Sequence, residues 1–191
     1  IVVSVLGPDE FAAKIGSSNY ATLSEAIEAA NAAAAGAEVT VTLINDAALS
    51  EAMTIGGANK ITLDGAAHTL TAESTGKLTL GGAVEVKNVT LVGGERAITA
   101  FEVTAGNVLT MTDLSASGFT GDYNGGVVFV NTGAKLVVKN GSFSDNAGRN
   151  GGVIYLADGE SNGAVMLEAD GCSFYTEKDN PEGLSPKKSS G

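Results

Sequence analysis

The sequence predicts an all-β fold, a right-handed parallel β-helix of about five coils with three short strands per coil and an N-terminal capping helix. The main observation is a triplet of two apolar residues around a central one, which recurs every 23 to 27 residues. Its copies are Met53-Thr54-Ile55, Leu78-Thr79-Leu80, Phe101-Glu102-Val103, Val128-Phe129-Val130 and Ile154-Tyr155-Leu156. A glycine follows each copy within a few residues, at Gly56, Gly81, Gly106, Gly133 and Gly159.

Two further series of short apolar runs complete each repeat. The second begins at Ile61, Val84, Leu109, Leu136 and Val165, with outward positions expected at Thr62, Glu85, Thr110, Val137 and Met166. The third is Val89-Thr90-Leu91, Leu114-Ser115-Ala116, Gly141-Ser142-Phe143 and, after a slip of one residue, Cys172-Ser173-Phe174. Asn88, Asp113 and Asn140 separate the two series, and these residue types tolerate the backbone angles of a sharp corner.

Such short strands explain why the chain should coil. A strand of three residues turns one apolar face inward and cannot bury it alone. Stacking successive turns places equivalent strands about 4.8 Å apart and joins their inward side chains into one core. A β-sandwich would need longer strands and hairpin signals between alternating runs, so the repeat favours the parallel β-helix.

A helix is predicted before the repeat, over about residues 22–35. Thr22 and Glu25 form a capping-box pattern, an apolar stripe follows at helical spacing, and Gly36 is placed to end the helix. We expect this helix to cover the open end of the core. The chain is interpreted as one domain over residues 1–176, with coils over about 53–174 and a tail or linker over 177–191.

Charge and composition limit the partners. The 191 residues carry a net charge of −11, so nucleic acid is not expected to bind, and anionic polysaccharides and anionic membranes are disfavoured. No apolar run approaches the ~20 residues that span a bilayer, so no membrane insertion of this segment is predicted. The single cysteine, Cys172, falls on an inward position and is expected to be a buried, inert thiol. The start without Met indicates a mature product or an excised segment, and we expect a monomer within a larger protein.

Two segments resemble bacterial surface proteins. Ala13-Lys14-Ile15-Gly16 with Tyr20-Ala21-Thr22-Leu23-Ser24-Glu25-Ala26-Ile27 resembles the strand-and-cap-helix entry of secreted and wall-attached β-helix domains of the pectate-lyase-like superfamily. Phe143-Ser144-Asp145-Asn146 with Gly151-Gly152-Val153-Ile154 is similar to the FxxN and GGxI repeats of polymorphic outer-membrane proteins and related adhesins. Phe119-Thr120-Gly121-Asp122 with Gly125-Gly126-Val127-Val128 is a degenerate copy. The resemblance implies a secreted or surface-exposed module that contacts glycans or host-surface proteins.

The candidate binding residues are an aromatic pair and a polar edge beside it. Phe129 and Tyr155 occupy outward positions of adjacent coils, where flat rings can support a sugar or an apolar partner. The alternative is a structural pair covered by the N-terminal segment or the tail. The polar edge comprises Asp122, Tyr123, Asn124, Asp145, Asn146, Arg149 and Asn150, and its alternative is a set of ordinary solvated loops with asparagines stacked at a corner.

No catalytic residue, metal site or cofactor is predicted. Polysaccharide lyases of this shape resemble one another in clustering Asp for calcium near an Arg or Lys base, and the outward positions of the second series lack such a cluster. Asp113 and Asp170 lie near corners, where Asp usually caps the backbone, and His68 has no nucleophile motif beside it. We therefore expect a non-catalytic extracellular module, adhesin-like or a scaffold. The alternative is a polysaccharide-active lyase or glycoside hydrolase, or an accessory domain of one.

Overall fold

Parallel strands stack turn upon turn in the computed structural model, which describes residue 7 and residues 10–94, 99–120, 124–157 and 166–175. The result is an all-β solenoid with one short helix, as the repeat predicts, and it has about four turns where about five coils were expected. In chain order the elements are β1 (Ala13–Ile15), β2 (Ser18–Tyr20), α1 (Leu23–Asn31), β3 (Glu38–Leu43), β4 (Ala47–Leu49), β5 (Ala52–Ile55), β6 (Lys60–Asp64), β7 (Thr69–Ala72), β8 (Lys77–Leu80), β9 (Val84–Lys87), β10 (Thr90–Gly93), β11 (Phe101–Val103), β12 (Val108–Ser117), β13 (Val128–Val130), β14 (Lys135–Ser144), β15 (Ile154–Leu156), β16 (Leu167–Asp170) and β17 (Ser173–Tyr175).

The solenoid has three faces, one for each predicted series of strands. Face 1 is the sheet β5-β8-β11-β13-β15, and all five predicted triplets of the first series pair there in parallel register. Face 2 consists of β3, β6, β9, the first halves of β12 and β14, and β16. Face 3 consists of β4, β7, β10, the second halves of β12 and β14, and β17. The inward residues of the three faces meet in one core.

The corner between faces 2 and 3 is a column of polar residues with left-handed backbone. Asn88, Asp113 and Asn140 have φ values of 51°, 52° and 54° in successive turns, a conformation that Asn and Asp adopt more readily than other non-glycine residues. The Asn140 amide donates to the Asp113 carboxylate at 2.9 Å. This geometry confirms the prediction that Asn and Asp occupy these positions because they tolerate the backbone angles of a sharp corner.

The N-terminal end of the core is covered, as predicted. Thr22 Oγ1 accepts from the Glu25 backbone at 3.2 Å, and Glu25 accepts in return from Thr22, so the capping box is complete. The helix α1 buries Leu23, Ala26, Ile27 and Ala30. It ends at Asn31, before the predicted residue 35, because the buried Asn59 amide bonds to the Ala30 and Ala33 carbonyls and so satisfies the end of the helix.

The antiparallel strands β1 and β2 complete this end of the solenoid. Strand β1 pairs with β3, so the outer edge of face 2 is not left unpaired there. Among the described residues, no helix combines the length and the apolar character needed to cross a membrane.

The last turn departs from the predicted register. Val137 pairs with Glu168, so Glu168 continues the outward row of face 2 in place of Met166. Val165, the predicted start of this strand, lies outside the described residues. Val137 and Glu168 are 31 residues apart, against 27 for Thr110 and Val137 in the preceding turn, so the predicted outward position at Met166 came too early in the chain.

Cys172 lies at an inward position of this last turn, as predicted, but it is only half-buried. Its neighbour Ser173 pairs with Ser142, which aligns Cys172 with the buried Gly141. The prediction of a buried thiol was wrong because no described strand stacks on the outer side of β17.

Candidate functional site

The outward row of face 1 changes character along the solenoid. Residues Thr54, Thr79, Glu102, Phe129 and Tyr155 occupy this row in register. Its first two members are small and polar, and its last two are the predicted aromatic pair. The rings of Phe129 and Tyr155 stack, with centroids 5.4 Å apart and an interplanar angle of 17°.

The two rings overlap only in part. Carbon atoms in contact lie about 3.5–4.0 Å apart, so a centroid distance of 5.4 Å implies a lateral offset of about 3.6–4.1 Å. That offset exceeds the radius of a ring, so neither ring covers the whole face of the other. Both side chains are half-buried. The pair therefore forms an apolar ridge on face 1, with part of each ring face not covered by the other ring.

An ion pair lies next to this ridge. Lys77 Nζ is 2.6 Å from Glu102 Oε2, and both side chains are less than one third exposed. The Asn131 amide donates to the other Glu102 oxygen at 3.4 Å and to the Val103 carbonyl at 3.1 Å. The hydrogen bond from Lys77 lowers the pKa of Glu102, helped by the charge of Lys77 and by Asn131 and opposed by partial burial. The ridge is thus flanked by a carboxylate whose charge is compensated.

Asn146 lies at the corner between faces 3 and 1, where its side chain serves the fold. Its carbonyl oxygen accepts from the Phe119 backbone at 3.1 Å, and its amide donates to the Ala116 carbonyl at 2.9 Å. Phe143, three residues earlier, is 1% exposed in the core. The Phe-x-x-Asn pattern therefore combines a core side chain with a bond between turns, and both amide atoms of Asn146 are engaged.

Asn124 and Asn150 form a similar link between turns. The Asn150 amide donates to Asn124 Oδ1 at 2.7 Å, and the two residues form a parallel bridge. Thr99 Oγ1 is within hydrogen-bond distance of the Asn124 carbonyl, at 2.9 Å, and of the Gly125 carbonyl, at 2.6 Å. These contacts favour the interpretation that Asn124 and Asn150 are structural residues stacked at a corner.

The remaining polar candidates are placed only in part. Asp122 and Tyr123 lie outside the described residues. Arg149 is exposed in the segment that leads from β14 into β15, and Asp145 is half-buried with a φ of 53°. The described polar residues thus border face 1 on the side where its strands begin.

The sequence did not predict a shallow depression on face 2. It is lined by Lys60, Ala83, Val84, Glu85, Val108 and Thr110, with a volume of about 220 Å³. Ligand pockets typically enclose about 300–1,000 Å³, so this depression is too small to enclose a ligand. Lys60 pairs with Glu38 at 3.3 Å, and the Glu85 carboxylate accepts from Thr62 at 3.4 Å. The sequence signal for this depression was Val108, an apolar residue directly before the inward Leu109, which leaves Val108 exposed on the outer side.

Face 3 presents hydroxyl groups. Residues Thr69, Thr90, Ser115, Ser142 and Ser173 form one outward row in register. Within it, Ser115 and Thr90 are 3.4 Å apart, and Ser173 and Ser142 are 3.3 Å apart. Within the described part of the chain, no group of three or more His, Cys, Asp or Glu side chains could hold a metal ion. Face 1 is the face on which aromatic and charged groups come together.

Comparisons with protein-family models, with curated proteins and with solved structures find no match to this chain. The resemblances to surface β-helix families therefore stay predictions.

Proposed function

We propose that this chain is a non-catalytic module exposed on the exterior of a bacterial cell, adhesin-like in role, which binds glycan on face 1. The stacked pair of Phe129 and Tyr155 carries this proposal. Half-buried aromatic side chains have few rotatable bonds and lose little conformational entropy when they bind, and their apolar surface suits the C–H face of a pyranose ring.

The surroundings of the ridge indicate the class of glycan. The Glu102 carboxylate keeps lone pairs beyond its bonds to Lys77 and Asn131, and it can accept from sugar hydroxyls at the side of the ridge. The chain carries a net charge of −11, which repels uronic and sialic acids. We therefore propose a neutral or amino-sugar glycan.

Engaged carboxylates support the non-catalytic part of the proposal. Glu102 pairs with Lys77 at 2.6 Å, Glu168 with Lys135 at 2.6 Å and Asp64 with Lys87 at 3.7 Å. A glycosidase instead needs two carboxyl groups held on either side of one bond. The alternative, a polysaccharide-active enzyme, makes a different experimental prediction, which is release of reducing or unsaturated sugars from a polysaccharide panel.

The binding proposal is tested on a glycan array, followed by calorimetry with any glycan that binds. Phe129→Ala and Tyr155→Ala should each weaken binding roughly tenfold or more, because each removes an aromatic contact that contributes about 1.4 kcal/mol or more. The matched control is Thr54→Ala, which changes the far end of the same outward row and should leave the affinity unaltered.

Two results would reject this function. If the wild-type chain binds no glycan, or if both aromatic variants bind as well as Thr54→Ala, the pair is a structural contact. Sugar release by the wild-type chain would favour the enzyme alternative.

A further inference from the structure

Asparagine followed by glycine is a chemically reactive pair, because a glycine has no Cβ to obstruct its backbone nitrogen as it approaches the carbonyl carbon of the asparagine side chain. The described part of the chain contains three such pairs, which are Asn124-Gly125, Asn140-Gly141 and Asn150-Gly151. Gly125 and Gly141 are buried, whereas Asn150 and Gly151 are both exposed. The three pairs share one chemistry and differ in their surroundings.

The next turn holds the backbone nitrogen of the first pair. The Gly125 N–H donates to the Asn150 carbonyl at 2.8 Å. Before this nitrogen can attack the Asn124 side chain, the bond must break and the buried Gly125 must move. Reaction at Asn124 therefore requires the stacked turns to open locally.

A continuous strand holds the second pair. Gly141 lies within β14 and pairs with Leu114, in a ladder that extends to Ser144. A Cβ at Gly141 would lie 2.7 Å from the ring of Phe143, so this backbone is closely packed. Rotation of the backbone at Asn140 would break the ladder, and the pair is protected although the Asn140 side chain is exposed.

The third pair lacks this protection. Among the described residues, none accepts a hydrogen bond from the Gly151 N–H. The Asn150 amide donates to Asn124 Oδ1 at 2.7 Å, but the Asn140 amide is engaged in the same way by Asp113, so side-chain bonding does not distinguish the pairs. A Cβ at Gly151 would collide with the Ile154 carbonyl oxygen, so the fold itself requires the glycine that makes Asn150 reactive.

We propose that Asn150 is a deamidation site, which the stacking of turns leaves reactive while it protects Asn124 and Asn140. The Gly151 nitrogen loses its proton to a base in solution and attacks Asn150 Cγ. The new C–N bond closes a five-membered succinimide, the Cγ–Nδ2 bond breaks, and ammonia leaves. Water then opens the ring at either carbonyl and yields aspartate or isoaspartate at position 150.

The product changes the contact between two turns. A carboxylate at position 150 cannot donate to Asn124 Oδ1, so the hydrogen bond that joins the two side chains is lost. It also adds a negative charge to a chain whose net charge is −11, at the border of face 1 where β15 begins. The modification therefore alters the edge of the face that carries Phe129 and Tyr155.

The test incubates the wild-type chain in mildly alkaline buffer, folded and unfolded in urea, and follows each pair by mass spectrometry. Trypsin cuts after Lys135, Lys139 and Arg149, which places the three pairs on different peptides, and fragmentation separates Asn150 from Asn162. In urea all three should deamidate at similar rates. In the folded chain Asn150 should react nearly as fast as in urea, and Asn124 and Asn140 about tenfold more slowly or less, because local opening must come first.

The matched control is Asn150→Gln, which keeps an amide but would have to close a larger ring. This variant should stay unmodified at position 150, with the rates at Asn124 and Asn140 unchanged. The proposal is overturned if folding slows Asn150 as much as Asn140, or if all three pairs react equally fast in the folded chain. The measurement uses no glycan, so its outcome is independent of the proposed function.

Discussion

Glu102 shows how a single residue on the surface of the solenoid is set by its neighbours in other turns. Lys77 lies one turn before it and Asn131 one turn after it, and both bond to its carboxylate. None of these partners is near in sequence. The lowered pKa of Glu102 therefore depends on the stacking of turns.

This lowered pKa predicts a pH dependence of stability. A carboxyl group whose pKa is lower in the folded state stabilises the fold above its ordinary pKa, and that contribution is lost as pH falls through the folded value. The wild type should exceed Glu102→Gln in stability by less than about 1 kcal/mol near neutral pH, because the pair is partly solvated. The difference should shrink below pH ~4.5, as urea unfolding at several pH values would reveal.

The lysine partner provides the control for this measurement. In a Lys77→Met background the substitution Glu102→Gln should lose most of its pH-dependent effect, because the principal bond is absent. An unchanged pH dependence in that background would assign the effect to another group.

At the scale of the element, consecutive glycines permit two turns to approach. A Cβ added at Gly126 would lie 2.1 Å from the Gly152 carbonyl oxygen of the next turn, which is far too close for atoms in contact. At Gly152 itself the nearest atom is the Asn146 carbonyl oxygen at 3.2 Å. Gly126 and Gly152 are the second glycines of their pairs. At this position the stacked next turn excludes a Cβ, whereas contacts within one turn restrict it only weakly.

This difference predicts that the same substitution has unequal effects at equivalent positions. Gly126→Ala should lower the free energy of unfolding by about 1–3 kcal/mol, because two backbones must move apart. Gly152→Ala should cost clearly less. Urea unfolding of both variants checks this, and equal losses would show that the constraint lies within each turn.

The element α1 shows where local signals suffice and where they do not. Its start follows from Thr22 and Glu25, which are close in sequence and form the predicted capping box. Its end depends on Asn59, whose amide reaches the helix carbonyls from a later turn. A sequence pattern can show the first interaction but not the second.

At the scale of the whole molecule, a solenoid is stabilised by contacts between neighbouring turns, so the position of a turn along the stack governs its stability. Inner strands have neighbours on both sides, and β15, β16 and β17 have one each among the described residues. We expect native-state hydrogen exchange in dilute solution to be slowest in β9, β11 and β12 and fastest in β16 and β17. Uniform protection along the stack would show that the chain opens as one unit.

The sequence by itself determined the repeat. Alternation with a period of two assigns inward and outward sides within a strand, which is why the placement of Phe129 beside Tyr155 could be predicted. The corner residues Asn88, Asp113 and Asn140 were equally readable, because left-handed backbone restricts the residue type locally. These features need no knowledge of a distant partner.

The tertiary structure alone decided the remaining features, because these features depend on which turns lie on either side of a residue. The ion pair of Lys77 and Glu102 and the use of both amide atoms of Asn146 arise from contacts between turns. The half-burial of Cys172 arises from a neighbour missing among the described strands, and no inward-facing pattern can reveal it. A periodic sequence specifies what each turn offers to its neighbours, whereas stacking specifies the register and the burial of each side chain.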